Sequence, residues 1–395
     1  MAPPALLAVS GTFHIAPMQC FTGVHLRHFY RLLSSRATLW SEMEKADDLL
    51  LSATAATRRL SATTQTVLQL GGSDPTRLAK AAKLAVGAHR HSITELNLNC
   101  GCPSIEAGGA DFGAALMRQP ALVAACVSSM ADASSLPVSV KCRVAAHESL
   151  LPGGMLPEDK YEALHAFVDR VNSTGALAHV VLHARAAVLT GLSPAKNRQV
   201  PALRYDYVER LAQDFPRLRV TLNGGVNDAA ALKTHLANPR IAGVMVGRWM
   251  LRRPLDLYDI HETCLGGGGT SLHGKSAAVM SYAQYAVDVL SRPGPSELAP
   301  VVSEVLCPLL LVSAQLQDDW AAVDEWPPPD LPPLTAAVCN AAAHVLDVAT
   351  RGAVSLAQIA IDDAGPGSLR KLDRSMAAAC GKKVHAKLLR SRRES

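Results

Sequence analysis

The amino-acid sequence predicts an α/β fold, a (β/α)8 TIM barrel followed by a smaller all-helical C-terminal domain. Three observations lead there. Eight short apolar or alternating runs lie before residue 250, and helix-like segments separate most of them. Such alternation means parallel strands joined by helical crossovers, and eight units of this kind make a closed barrel. No G-x-G-x-x-G follows the first run, which speaks against a dinucleotide-binding doubly wound sheet. Beyond the glycines at 266–269 the strand signals stop.

In chain order the strand runs are 12–17, 38–43, 66–70, 94–99, 138–143, 179–183, 219–223 and 243–246. Helices are expected at 24–35, 74–87, 120–131, 159–173, 205–214 and 227–236, and Ala and Leu dominate the composition, which favours them. At 395 residues the chain exceeds one ordinary core, so a barrel domain at 11–258, a glycine-rich linker at 259–274 and a helical domain at 275–395 are expected. The last would hold helices at 275–291, 297–317, 335–350 and 369–390, interrupted by an extended, exposed Pro-rich insertion at 326–333.

The net charge of +5 is a C-terminal property: residues 368–395 carry nine Lys/Arg and two Asp/Glu, leaving about −2 for the rest. Such a tail suits a polyanion, or else forms a solvated helix face. Nine cysteines without a regular framework point to a reducing compartment, cytoplasmic or organellar. One C-x-C at Cys100 and Cys102 has no second pair, so no metal is expected. No secretory signal is visible, and the apolar run 301–316, which contains Glu304 and Pro308, is too short to span a bilayer.

In a barrel of this kind the C-terminal strand ends build the active site. The richest is Asn97-Leu98-Asn99-Cys100-Gly101-Cys102-Pro103, where Gly and Pro end the strand and expose what precedes them. The other ends present Pro17 and Met18, Gln69, Lys141 with Arg143, His183 with Arg185, Asn223-Gly224-Gly225, and Gly247-Arg248. Singly these are ordinary residues; together they place polar groups on one rim. A Lys that ends a buried parallel strand needs a partner. The glycines and Arg248 after strands seven and eight match the usual phosphate site of barrel enzymes. FMN fits: phosphate there, ring over the barrel centre, and Lys141 stabilising the reduced ring.

The strings APM at 16–18, LQLGGSDP at 68–75, NLNCGCPS at 97–104, VKCR at 140–143, HAR at 183–185, GLSPAKNR at 191–198, LNGGV at 222–226 and GVMVGR at 243–248 together resemble the A-type branch of the tRNA-dihydrouridine synthases, the tRNA-dihydrouridine(20/20a) synthase-like enzymes. The likeness runs from about residue 14 to 255, and the helical domain resembles that family's tRNA-binding domain only loosely. It implies FMN-dependent reduction of the C5=C6 bond of a tRNA uridine, in the D-loop at position 20/20a, with NADPH as transient reductant. A monomer on tRNA is implied. Cys102 would be the proton donor, Cys100 not being at the matching position. Pro17, Met18, Gln69, Lys141, His183, Asn223, Gly224, Gly225, Gly247 and Arg248 would hold FMN. Asn99, Arg143, Arg185, Lys196 and Arg198 would face the substrate, and Arg370 and Lys371 would grip tRNA phosphates. The chain departs from the A-type pattern at Ala186 and Val188, at 42–47 and in the Pro-rich insertion. The alternative is an FMN barrel oxidoreductase acting on a small unsaturated molecule, dihydroorotate dehydrogenase-like or enoate reductase-like, which needs no basic tail.

Overall fold

Strands joined by helical crossovers are buried on both faces, so their sequences run as near-continuous apolar stretches. The computed structural model describes residues 11–52, 60, 65–103, 112–268, 274–292, 298–323, 327–350, 365–380, 385–386 and 389. Ser104, Gly269, Trp326 and the basic residues Lys382, Lys383 and Lys387 lie outside them.

The chain divides into two compact units, one holding the described residues of Met1–Val24 and Thr38–Gly247, the other those of His25–Ala37 and Arg248–Ser395. In the first, β1 (Thr12–Ile15), β2 (Thr38–Lys45), β3 (Thr66–Gly71), β4 (Ile93–Cys100), β5 (Val138–Arg143), β7 (Leu177–His183), β9 (Arg219–Asn223) and β10 (Gly243–Val246) close into a barrel of order β1-β10-β9-β7-β5-β4-β3-β2. Every pair is parallel. All eight expected strands are present, with ends displaced by up to two residues, and the (β/α)8 TIM barrel is the fold. A short parallel pair, β6 (Ala146–Ser149) with β8 (Ala187–Thr190), joins the loops that follow β5 and β7. This pair was not expected: β6, Ala-His-Glu-Ser, carries no apolar run or alternation.

Side chains alternate along a strand, so every second residue points into the barrel. Ala16, Trp40, Val67, Val181 and Met245 form an apolar cluster there. Toward the N-terminal ends of the strands the lining is polar. His179 Nδ1 donates to Glu95 Oε1 at 3.0 Å, and Arg219 Nη2 donates to Glu95 Oε2 at 2.8 Å. Burial alone would raise the Glu95 carboxyl, but hydrogen bonds from His179 and Ser139 and the nearby Arg219 hold it down at about 2. Trp40 Nε1 donates to His14 Nδ1 at 3.2 Å, while His14 Nε2 lies 2.7 Å from Thr12 Oγ1, whose hydroxyl donates to Ala242 O. This arrangement needs a neutral His14. Burial, with His179 beside it, pushes its pKa down to about 3.

The unfolded chain takes up a proton on this histidine near pH 6.5, and the folded one only near 3. Its contribution is therefore complete above 6.5 and is lost as pH falls toward 3, a difference of order 5 kcal/mol. Glu95 acts in the same direction below about 4.5. We expect His14→Gln to make the acid limb of the stability curve shallower between pH 6.5 and 3. Denaturant titrations at a series of pH values measure it, and an unchanged slope would contradict the buried neutral state.

The second unit is helical. The helix Val24–Leu33 counts with it, apart from its first residue, and from Arg248 onward come Arg248–Arg252, Asp256–Cys264, Lys275–Leu290, Leu298–Ala321, Leu331–Thr350 and Pro366–Cys380. Asp256–Cys264 occupies the first part of the stretch expected to be linker, and Gly266, Gly267 and Gly268 follow at positive φ. The Pro-rich stretch is less extended than expected: Leu331, Pro332 and Pro333 begin a helix, where proline is tolerated because first-turn N–H groups lack intrahelical acceptors. The helix through Pro308 is longer than its apolar run suggested. Val301–Ala321 could cross a membrane by length and composition, but 72% of its apolar window is buried inside the structure, as in a core helix. Tyr282 Oη donates to Val305 O at 2.6 Å and Arg253 Nη1 to Asp319 Oδ1 at 2.7 Å, fixing neighbouring helices. Arg370, Lys371 and Arg374 are exposed on Pro366–Cys380.

Candidate active site at the C-terminal rim of the barrel

Alternation puts Glu95, Asn97 and Asn99 of β4 on one face, with Ser139, Lys141 and Arg143 of β5 and His179 and His183 of β7 on the same side of theirs. Register pairs Asn99 with Lys141, Arg143 with His183, and His183 with Asn223. The expected strand-end residues of this unit thus meet on one rim.

The chain at Cys102 is held at four main-chain atoms by three partners. Asn99 Oδ1 accepts from Gly101 N and from Cys102 N, each at 3.0 Å. Cys102 O accepts from Ala114 N at 2.9 Å. Gly101 O accepts from Arg143 Nε at 2.8 Å. Gly113 turns at φ 76°, and a Cβ there would come within 2.6 Å of Cys102 O, so glycine permits the approach. The Cys102 thiol is half-buried, whereas Cys100 is buried and burial pushes its thiol well up.

Lys141, Arg143 and Arg198 lie within electrostatic reach of that thiol. Lys141 is partly exposed, its amine pushed down to about 8, chiefly by burial and also by Arg143, with Cys102 and Cys142 opposing. Among the described residues none accepts a hydrogen bond from its Nζ. Arg143 is buried, which brings it down to about 10, and lies within electrostatic reach of Cys102, Arg198 and Arg185. Burial lowers Arg185 and Arg198 too. Lys196 is exposed.

Arg143, expected on the substrate side, is committed to main chain. Besides Gly101 O, its Nη1 donates to Ala186 O at 2.9 Å and Asn197 O at 3.0 Å. Asn197, which the sequence reading passed over between Lys196 and Arg198, is fully buried. Its Oδ1 accepts from Val188 N at 2.7 Å, and its Nδ2 donates to Val188 O, Leu192 O and Ser193 O. It fixes the loop that carries both cations; the signal available was an amide inside a turn-rich string. Arg185 Nη1 donates to Gln199 O at 3.3 Å and to Pro201 O. Asn99 Nδ2 donates to Gln69 Oε1 at 2.9 Å, so one of its two amide hydrogens stays available to a ligand.

After β9, Gly224 and Gly225 have φ of 104° and 79°. A Cβ on Gly224 would come 2.9 Å from His183 Nε2, and one on Gly225 would collide with Leu203 and Tyr205. Tyr205 Oη donates to Gly224 O at 2.9 Å, and Asn223 Nδ2 to Met245 O at 2.9 Å, which ties β9 to β10. A Cβ on Gly247 would touch Ala16 and Met18. Met18 is the start of a tight turn in which its O accepts from Thr22 N at 3.0 Å and its N donates to Thr22 Oγ1 at 2.9 Å. Pro17 leads into that turn. Arg248 directly follows Gly247 and, like Arg370 and Lys371, belongs to the helical unit.

These residues fit a flavin mononucleotide: a glycine bend that a side chain would fill, a lysine with no acceptor among the described residues, and amides with a spare donor. Residues 14–283 match the family described as Dihydrouridine synthase. A Xanthomonas campestris protein named tRNA-dihydrouridine(20/20a) synthase is 43% identical over 268 residues, 68% of this chain and 75% of that one. Proteins of the same name from Xylella fastidiosa and Escherichia coli are 42% identical over 64% of this chain and 71% of theirs, and 39% identical over 66% and 72%. The barrel with its cysteine rim therefore belongs to the dihydrouridine synthase family.

Proposed function

We propose that this enzyme reduces a uridine of tRNA to dihydrouridine with NADPH as electron source, and that the uridine is at position 20 or 20a, as in the names of its relatives. The observation that carries the reading is Cys102, half-buried on the rim with its main chain held on three sides. Bound FMN would supply the hydride that reaches C6 of the uracil.

The chain's own groups do the rest. Gly224, Gly225, Gly247 and Arg248 would take the phosphate, and Pro17, Met18, Gln69, His183 and Asn223 would line the remainder of the FMN site. Lys141 holds a cation where negative charge accumulates on reduction. Cys102 Sγ gives its proton to C5 of a base flipped out of the tRNA, a loop uridine costing little to unstack. Asn99 keeps an amide hydrogen to orient that base. Arg185, Lys196 and Arg198 line the approach, and Arg370 and Lys371 would meet phosphates without reading sequence.

Anaerobic reduction by NADPH, followed by an unmodified tRNA transcript, tests the reading. Flavin reoxidation with formation of dihydrouridine is expected, and none with a transcript carrying cytidine at both positions. Reoxidation by a small enone and not by tRNA would replace it with small-molecule chemistry.

A further inference from the structure

The amide groups inside the barrel form a directed chain. Ser139 Oγ accepts from Asn97 Nδ2 at 2.8 Å, Asn97 Oδ1 accepts from Gln69 Nε2 at 2.8 Å, and Gln69 Oε1 accepts from Asn99 Nδ2 at 2.9 Å. Asn99 Oδ1 then accepts from the N–H groups of Gly101 and Cys102. Register accounts for the alignment, since Gln69 pairs with Asn97 and Asn97 with Ser139 across β3, β4 and β5. Asn97 and Ser139 are fully buried.

Chemistry fixes the polarity. A backbone N–H can only donate, so Asn99 must turn its oxygen to Cys102 and its nitrogen to Gln69. Gln69 must then present its oxygen to Asn99 and its nitrogen to Asn97, and Asn97 its nitrogen to Ser139. The chain ends on the Ser139 hydroxyl, which accepts from Asn97 and has its single hydrogen for Leu96 O, at 3.2 Å, or for the Glu95 carboxylate. Were the Asn97 acceptor missing, Gln69 would keep a buried donor with no acceptor, and its amide would gain a reason to rotate. Rotation would set its nitrogen against that of Asn99, and the hold on Cys102 would loosen.

We propose that Asn97 and Ser139 are positioning residues for Cys102, fixing through Gln69 and Asn99 the orientation of the loop that carries the thiol. The inference deepens the reading of Cys102 as proton donor and rests on it for its kinetic consequence only.

The test is site-resolved alkylation of the intact protein by iodoacetamide, read by mass spectrometry, in Asn97→Leu and in the milder Ser139→Ala. Leucine keeps the branched heavy-atom skeleton of asparagine and removes the acceptor. Cys102 is expected to react about three- to tenfold faster in Asn97→Leu and less so in Ser139→Ala, while buried Cys100 and Cys142 stay protected and exposed Cys20 serves as internal reference. With tRNA, kcat should fall about tenfold in Asn97→Leu with KM little changed. An unchanged Cys102 rate in both variants overturns the proposal, as does exposure of Cys100 and Cys142 in step with Cys102, the mark of a merely structural role. Failure of the functional reading shows separately: the wild type would not turn over tRNA, and the alkylation pattern would still be measurable.

Discussion

Cys102→Ala is expected to lower single-turnover reduction of tRNA uridine by about 10²–10⁴-fold, the span ordinarily lost with a positioned general acid. Reduction of the bound flavin by NADPH should persist, and the melting temperature should move little. The separation follows from how the residue is held. Its contacts with Asn99 and Ala114, and that of Gly101 with Arg143, are made by main-chain atoms, and an alanine keeps all of them. Only Sγ is lost, from a place where the side chain is half-buried and leaves a small gap. Rapid-mixing absorbance of the reduced protein with tRNA, beside a thermal melt, measures both. Retention of tRNA turnover within a few-fold would pass the proton to another group, and a large fall in melting temperature would turn the kinetic loss into a folding effect.

The strands were legible because buried parallel strands are rich in apolar residues: 243–246, Gly-Val-Met-Val, is apolar throughout, and 138–143 is apolar at alternate positions. The rim was legible for a related reason: Lys141, His183 and Asn223 are polar groups at the last positions of such runs. The interior was harder. Glu95, Asn97 and Asn99 alternate with Leu96 and Leu98, the pattern of a strand with one wet face. Inside a closed barrel no face is wet, so each of these groups needs a buried partner, and the partners come from strands far away in sequence: Gln69, Ser139 and His179. A periodicity identifies the face, but only the register identifies the partner. The same limit explains Arg143 and Asn197. An arginine at a strand end looks like a substrate contact, and an asparagine between Lys196 and Arg198 looks like part of a loop. Each is instead satisfied by carbonyls that only the folded loops bring near. The helices Arg248–Arg252 and Asp256–Cys264 escaped notice because they are short and lie either side of Pro254.

Arg143 gives the second large effect. Its three hydrogen bonds go to carbonyls of Gly101, Ala186 and Asn197, from the cysteine loop, the start of β8 and the turn that bears Lys196 and Arg198. One guanidinium thus joins the proposed proton donor to the proposed substrate cations. Arg143→Leu would leave those buried acceptors without a donor, at about 1–3 kcal/mol for each that neither water nor relaxation can satisfy. A net loss of about 3–5 kcal/mol of barrel stability and a melting temperature lower by roughly 10 °C are expected. Arg143→Lys keeps the charge, yet an ammonium is a compact point donor and cannot span acceptors on three segments. It should recover only part of the stability and little of the turnover. This outcome separates a clamp from a phosphate contact. A phosphate contact would tolerate lysine, leave the melt nearly unchanged and, in Arg143→Leu alone, reduce the salt dependence of tRNA binding by about one charge. A clamp lowers the melt and kcat together and leaves the salt slope as it was. Thermal melts and tRNA binding at several salt concentrations on the two variants decide between them, because charge is conserved in Arg143→Lys and only the reach of the donors is lost.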